Sequence, residues 1–109
     1  MGRTEIPPGT LYMLVLKAIA RNGPQHGYGI AQYIQQATSD VLQVEEGSLY
    51  PALQRMLIKG WVKAEWGVTG EHRRARYYKL TAAGRKQLAM EVAAFERVMG
   101  AIGRAIAAV

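Results

Sequence analysis

The sequence predicts a mainly α protein with one small β-hairpin, closed by a long C-terminal helix. Three observations carry this reading. Apolar residues recur at the helical period through three short segments, alternate with polar ones from Val62, and return to helical spacing after Thr81. The 109 residues suffice for one domain and leave little room for a second. Half are hydrophobic and 20% charged, the balance of an ordinary folded chain rather than a disordered one.

Pro7-Pro8-Gly9 ends an extended arm (residues 1–9), and Thr10 is placed to cap a first helix. Leu11, Leu14, Val15, Ala18 and Ile19 follow the helical period until Asn22-Gly23-Pro24 stops it. Gln25-His26-Gly27 leads into a second helix. There Tyr28, Ile30, Ala31, Ile34 and Ala37 are expected inward, Gln32, Gln35 and Gln36 outward, and Thr38-Ser39-Asp40 closes it. Beyond the apolar stretch Val41–Val44, Glu45-Glu46-Gly47-Ser48 suits a helix start, both as caps and against the positive end of the dipole. The third helix, about 46–59, carries Leu49, Leu53, Met56 and Leu57 on one face. Ser48, Tyr50, Gln54, Arg55 and Lys59 lie on the other, Pro51 is near the first turn, and Gly60 ends the helix.

Val62–Trp66 and Arg73–Leu80 then alternate around a glycine-containing loop, Val68–His72, which reads as a hairpin spanning about 62–80. Arg76, Tyr78 and Leu80 share one face of it. Thr81 caps a last helix that runs to the end, with Gly84 tolerated in its first turn.

Composition removes several function classes. There is no cysteine, which excludes disulfides, thiol catalysis and cysteine-containing zinc sites. His26 and His72 are far apart, and no carboxylate spacing completes a metal site around them, so neither metal nor cofactor is expected. Scattered carboxylates, without a phosphate-binding glycine loop, argue against an enzyme. The longest purely apolar run, Leu11–Leu16, falls far short of the roughly 20 residues of a membrane span. The N-terminus shows no signal-peptide core, so a cytoplasmic protein without a membrane partner is expected.

The formal charge of +6 is unevenly placed. Residues 55–86 hold nine basic against two acidic residues, or +7, and the rest of the chain holds five against six, or −1. A basic segment inside a folded domain fits a polyanion-binding face, and on charge alone a merely solvated surface fits equally well. The order of three helices, a hairpin and a helix is the winged helix-turn-helix plan. In that plan the third helix enters the major groove of DNA and the hairpin reaches the phosphates. Charge and element order therefore point the same way.

Five strings strengthen the reading. His26-Gly27-Tyr28-Gly29-Ile30, Gly47-Ser48-Leu49-Tyr50-Pro51-Ala52-Leu53, Gly60-Trp61-Val62, Glu65-Trp66-Gly67 and Arg73–Gly84 together resemble PadR-type transcriptional regulators, in register from about Leu11 to Leu88. The chain departs from the commoner pattern at Glu45-Glu46, where a Ser-Pro pair often starts the third helix. Two carboxylates there would repel a nearby phosphate. Its length resembles the smaller branch, with a single C-terminal helix. The resemblance implies a homodimeric repressor of double-stranded DNA, often released from its operator by a small molecule.

The residues support the DNA part independently. Tyr50, Gln54 and Arg55 fall within two turns on one side of the third helix. Gln can bond adenine and Arg guanine bidentately, each pair discriminating by about 1–3 kcal/mol. Ser48 and Tyr50 offer hydroxyls to phosphate, and Arg73, Arg74 and Tyr77 sit in or beside the wing. Plainer roles stay open: Tyr50 packed under the hairpin, Arg55 paired with Glu46 or Glu65, and His72 touching phosphate or nothing. Tyr78 reads as core, Trp61 and Trp66 as hydrophobic anchors of the hairpin, and His26 as a structural hydrogen-bonding group. A protein–protein adaptor with a basic hairpin is the competing function.

Residues 1–80 thus read as a winged helix-turn-helix DNA-binding domain and 81–109 as a dimerisation helix. Leu88, Val92, Phe95, Met99, Ile102, Ile106 and Val109 are spaced 4, 3, 4, 3, 4, 3, the repeat of a coiled-coil seam. From Ala82 to Val109 the helix would run about 42 Å, whereas a compact domain of about 80 residues spans only about 30 Å. A second copy is the expected cover for the stripe. Two recognition helices one helical turn apart then imply a palindromic operator. An effector wedged between the C-terminal helices would change their spacing, and Phe95 with Leu11, Leu14, Val15, Val92 and Met99 could line its pocket. Plain dimer core explains Phe95 as well.

Overall fold

The computed structural model describes residues 4–108, in the order β1 (Thr4–Glu5), α1 (Leu11–Asn22), α2 (Gly27–Ala37), β2 (Leu42–Gln43), α3 (Glu46–Ile58), β3 (Val62–Val68), β4 (Arg74–Leu80) and α4 (Ala82–Ala107). Residues 1–3 of the expected arm, and Val109 of the expected seam, lie outside the described residues. The fold is the predicted one, mainly helical with a single antiparallel hairpin and a long last helix. No helix among the described residues is long and apolar enough to cross a membrane.

Apolar faces of α1, α2 and α3 meet the base of the hairpin to form the core. Val15, Leu16 and Ile19 come from α1, Ile30 and Ile34 from α2, Leu49, Leu53 and Met56 from α3, and Val62, Tyr78 and Leu80 from the hairpin. The buried face of α1 is wider than the periodicity suggested. Met13 and Leu16 are buried, while Leu11 and Leu14 are only half-buried. This follows from the position of α1, which packs against α2, β4 and α4 together. A helix covered on several sides needs no single apolar stripe.

The hairpin runs in register from Val62↔Leu80 to Val68↔Arg74. Its turn is Thr69–Arg73, one residue later than expected, with Arg73 in the loop. A third rung comes from the α1–α2 connector. The Gln25 N–H donates to the Tyr78 carbonyl at 3.0 Å, and the Tyr78 N–H donates to the Gln25 carbonyl at 2.7 Å. The arm also pairs, in a parallel two-residue bridge of Thr4 with Leu42 and Glu5 with Gln43. The sequence offers no signal for that bridge, because two residues establish no period.

Several local expectations are corrected. The Thr10 side chain does not cap α1; its hydroxyl donates to the Pro7 carbonyl at 2.8 Å. Neither Glu45 nor Ser48 caps α3 by its side chain, and the Glu45 carbonyl accepts the Ser48 N–H instead. Tyr28 is 71% exposed and Ala37 is exposed, so α2 buries a narrower face than assumed. Trp61 does anchor the hairpin, edge-on to Tyr12 at 5.7 Å between ring centroids. Trp66 does not, for at 62% exposure it lies beyond the reach of the core.

Thr81 caps α4 as predicted, its Oγ1 accepting the Gly84 N–H at 3.0 Å while its hydroxyl donates to the Gly60 carbonyl at 2.6 Å. Gly84 is required rather than tolerated. It is buried, and a Cβ there would collide with the Trp61 carbonyl oxygen. Beyond Leu88, which packs on the core, α4 leaves the body. The radius of gyration is 15.2 Å, against about 13 Å for a compact chain near 100 residues. Gly84→Ala should therefore destabilise the protein by about 1–3 kcal/mol, as overpacking does. Urea unfolding would register this, and an unchanged midpoint would contradict the close approach.

Candidate nucleic-acid interface

The surface beside α3 is shaped by a glycine and a capping histidine. His26 Nδ1 accepts the Gly29 N–H at 2.9 Å and caps α2, the structural role expected of it. The first turn of α2 then crosses α3 closely. A Cβ at Gly27 would lie 2.7–2.9 Å from the Tyr50 phenol, so only glycine lets Tyr50 lie across that turn. On the other face of the hairpin, Gly67 makes similar room for Tyr77, whose ring would be 2.8 Å from an added Cβ.

Between the start of α2, the exposed face of α3 and the inner face of the hairpin lies an open cleft of about 970 Å³. α2 contributes Tyr28 and Gln32, α3 contributes Tyr50 and Gln54, and the wing contributes Trp66, Arg73, Arg74 and Arg76. Glu71 is the single carboxylate among its lining residues. Amide and phenol groups thus face a row of guanidinium groups across one concave surface. Such a surface offers hydrogen bonds from one wall and positive charge from the other.

The cationic wall is ordered by stacking. Arg74 Cζ lies 4.8 Å from the Trp66 ring centroid and Arg76 Cζ 6.0 Å from it. Arg76 Cζ is also 5.9 Å from the ring of Tyr78, which closes the cleft floor. Burial pushes the Tyr78 phenol above its ordinary pKa, against the Arg76 charge that draws it down, and Tyr50 adds a smaller upward push.

Of the residues expected at the interface, Tyr50, Gln54, Arg73 and Arg74 are brought together here. Tyr50 is half exposed rather than packed away under the hairpin. Three others are not assembled with them. Ser48 is exposed in the first turn of α3, away from the cleft lining. Arg55 turns back toward α1, where its Nε donates to the Tyr12 hydroxyl and its guanidinium lies 5.6 Å from that ring; its partner is neither Glu46 nor Glu65. Tyr77 occupies the opposite face of the hairpin, beside Lys63, Glu65 and Lys79 in a smaller cleft, with His26 edge-on at 5.2 Å. His72 is exposed at the turn with φ +61°.

Tyr28, Gln32, Trp66 and Arg76 were missed by sequence reasoning. Signals for two pairs existed: Tyr28 and Gln32 stand at i and i+4 on one helix face, and strand alternation puts Arg74 and Arg76 together and Tyr77 opposite.

The expected seam residues are placed as follows. Leu88 and Val92 are half-buried, while Phe95, Met99, Ile102 and Ile106 are 38%, 44%, 45% and 79% exposed. Val15, expected to line an effector pocket with Phe95, is fully enclosed by the core, so it can only back such a wall. Leu11 and Leu14 are half-buried on α1, which packs against α4.

The family model of the transcriptional regulator PadR-like family matches residues 15–90. Uncharacterized protein X of Lysinibacillus sphaericus is 31% identical over 88 residues, 81% of this chain and 80% of that protein. A 37.1 kDa protein in a Streptomyces fradiae transposon is 39% identical over 90 residues, which are 83% of this chain and only 24% of its own length. Among solved structures, a PadR family transcriptional regulator from Eggerthella lenta superposes with a TM-score of 0.77 at 26% identity, covering 93% of this chain and 85% of that one. A transcriptional regulator from Clostridium thermocellum gives 0.79 at 25%, covering 88% and 92%. Bacillus subtilis PadR in complex with operator DNA gives 0.66 at 22%, covering 79% and 48%, a likeness of fold.

The raised pKa of Tyr78 has a signed consequence for stability. The unfolded phenol ionises first, near pH 10, so this contribution is intact below that pH and is lost as pH rises through the higher folded value. Unfolding free energy should therefore fall above about pH 10 more steeply in the wild type than in Tyr78→Phe, by at most about 1.4 kcal/mol per pH unit. Parallel slopes in alkaline denaturant titrations would exclude it.

Proposed function

Because the chain belongs to the PadR-like family of transcriptional regulators, we propose that it is a homodimeric, sequence-specific DNA-binding repressor with no catalytic role, acting in the cytoplasm. The observation that carries this is the cleft in which Gln54 of α3 faces Arg73 and Arg74 of the wing. In this reading α3 enters the major groove with Tyr50 and Gln54 toward base edges and phosphate, and the wing arginines grip the flanking backbone. The fold it shares with Bacillus subtilis PadR, solved in complex with operator DNA, supports the docking mode. Arg55, tied to Tyr12, and Tyr77, on the far face of the hairpin, have secondary parts at most.

The exposed stripe of Phe95, Met99, Ile102 and Ile106 supports the dimer, since a single copy leaves these side chains in water. Two copies joined along α4 would present two α3 helices to a palindromic operator. A small apolar or aromatic effector would sit between the two α4 helices, in a pocket lined by Phe95, Met99, Leu11, Leu14 and Val92. Its binding would bias the spacing of the two heads and release the operator.

Selection from random-sequence DNA followed by titration of the recovered site tests this reading. Arg73→Ala with Arg74→Ala should weaken binding to all sequences and reduce the log–log salt slope by about 0.9 for each phosphate that is no longer neutralised. Gln54→Ala should instead lose about 1–3 kcal/mol of discrimination at one base position. Equal affinity for selected and random DNA at physiological salt would refute a sequence-specific regulator. Capture of a stable protein partner, with no DNA bound, would favour the adaptor.

For the dimer, Phe95→Asp or Met99→Asp should halve the mass seen by light scattering. A wild type that is already monomeric at micromolar concentration would refute the seam.

A further inference from the structure

Trp66 is a large apolar side chain 62% exposed on a basic surface, where neither the core nor the fold requires it. Strand register explains its neighbours. Trp66 pairs directly with Arg76, and the next pair on the same face is Val68 with Arg74. One step inward the face holds Ala64 with the buried Tyr78. The inner face therefore carries an alternating stack of Arg74, Trp66, Arg76 and Tyr78, with the Arg74 and Arg76 guanidinium carbons 4.8 and 6.0 Å from the Trp66 ring centroid and that of Arg76 5.9 Å from the Tyr78 centroid. Its inner end is rooted in the core at Tyr78.

Two arginines on alternate residues of one strand repel each other, and each free side chain samples many rotamers that binding would have to suppress. An indole ring between them offsets both effects. Its negative face attracts each guanidinium, and its bulk restricts where they can go. Both arginines line the cleft opposite Gln54, so the ordered state directs them into the space a nucleic-acid backbone would occupy.

We propose that Trp66 is a positioning residue that holds Arg74 and Arg76 ready for phosphate, and that Arg76 belongs to the phosphate-binding set of the wing. This rests on the DNA-binding reading above. Trp66 acts through the two arginines rather than by touching DNA, and preordering lowers the entropy lost on binding.

The test is a mutant cycle on a DNA site selected by the wild type, with a fluorescence-anisotropy titration at each of several salt concentrations. Trp66→Ala should weaken binding about five- to thirty-fold with an unchanged salt slope, since the arginines still reach the phosphates. Trp66→Phe should retain most of the affinity. Arg74→Ala with Arg76→Ala should lower the slope by up to about 1.8, and adding Trp66→Ala to that pair should cause no further loss. An equal loss in the background lacking Arg74 and Arg76 would mean that Trp66 contacts DNA itself, and no loss in the wild-type background would mean that it positions nothing. Either result overturns the proposal.

A DNA-free readout separates this failure from failure of the underlying reading. The Nε–H resonances of Arg74 and Arg76 should be shifted upfield by the indole ring and should relax to ordinary values in Trp66→Ala. Absence of the shift overturns the stack. Its presence in a protein that binds no DNA overturns the DNA reading and the positioning role with it.

Discussion

The functional surface depends on how Tyr78 is held. Its backbone makes two hydrogen bonds to Gln25, which ties the connector between α1 and α2 to the central strand of the hairpin. Its ring is buried in the core beside α3 and forms the floor of the cleft. The same residue therefore joins the helical body to the wing and sets the distance between them. The bonds to Gln25 add a third segment to a two-stranded ribbon that alone is marginally stable in water, while Val62 and Leu80 also bury its base in the core. Polar and cationic groups can face each other across one cleft because a single phenol is shared by its floor, the core and the arginine stack.

Close approaches made possible by missing side chains set the remaining geometry. At Gly27, α2 comes within van der Waals range of the Tyr50 ring and fixes the direction of that ring over α3. At Gly84, the first turn of α4 sits on the Trp61 carbonyl, so the long helix departs at one angle from the base of the wing. Thr81 reinforces that junction by bonding both to Gly60 and to Gly84. Helix α3, the hairpin and α4 are thus joined through short, stiff contacts rather than through linkers. A displacement of α4 therefore has a direct mechanical route to the hairpin.

Much of this was legible in the chain. The 3.6-residue period located α1 to α3, alternation located the hairpin, and the Thr81 cap and the seven-residue repeat located α4. The concentration of charge in residues 55–86 marked the basic wing. What was misread shares one cause. Tyr28 and Trp66 were assigned as core and anchor, whereas their placement follows from which neighbour lies within reach. An aromatic ring at helical or strand spacing is apolar in either setting, and only the packing partner decides whether it is covered.

The sequence by itself determined the four helices and the hairpin, their order, the basic character of the wing and the excess length of the final helix. These are consequences of local periodicity, capping chemistry and residue counts, all readable over a few residues at a time. Only the tertiary structure decided which side chains share the cleft. Arg76 joins it and Tyr77 leaves it because one strand face is turned toward α3. Arg55 is drawn away because Tyr12, forty-three positions earlier, lies against it. Contacts between residues distant in the chain depend on how elements pack, and no local pattern encodes that angle.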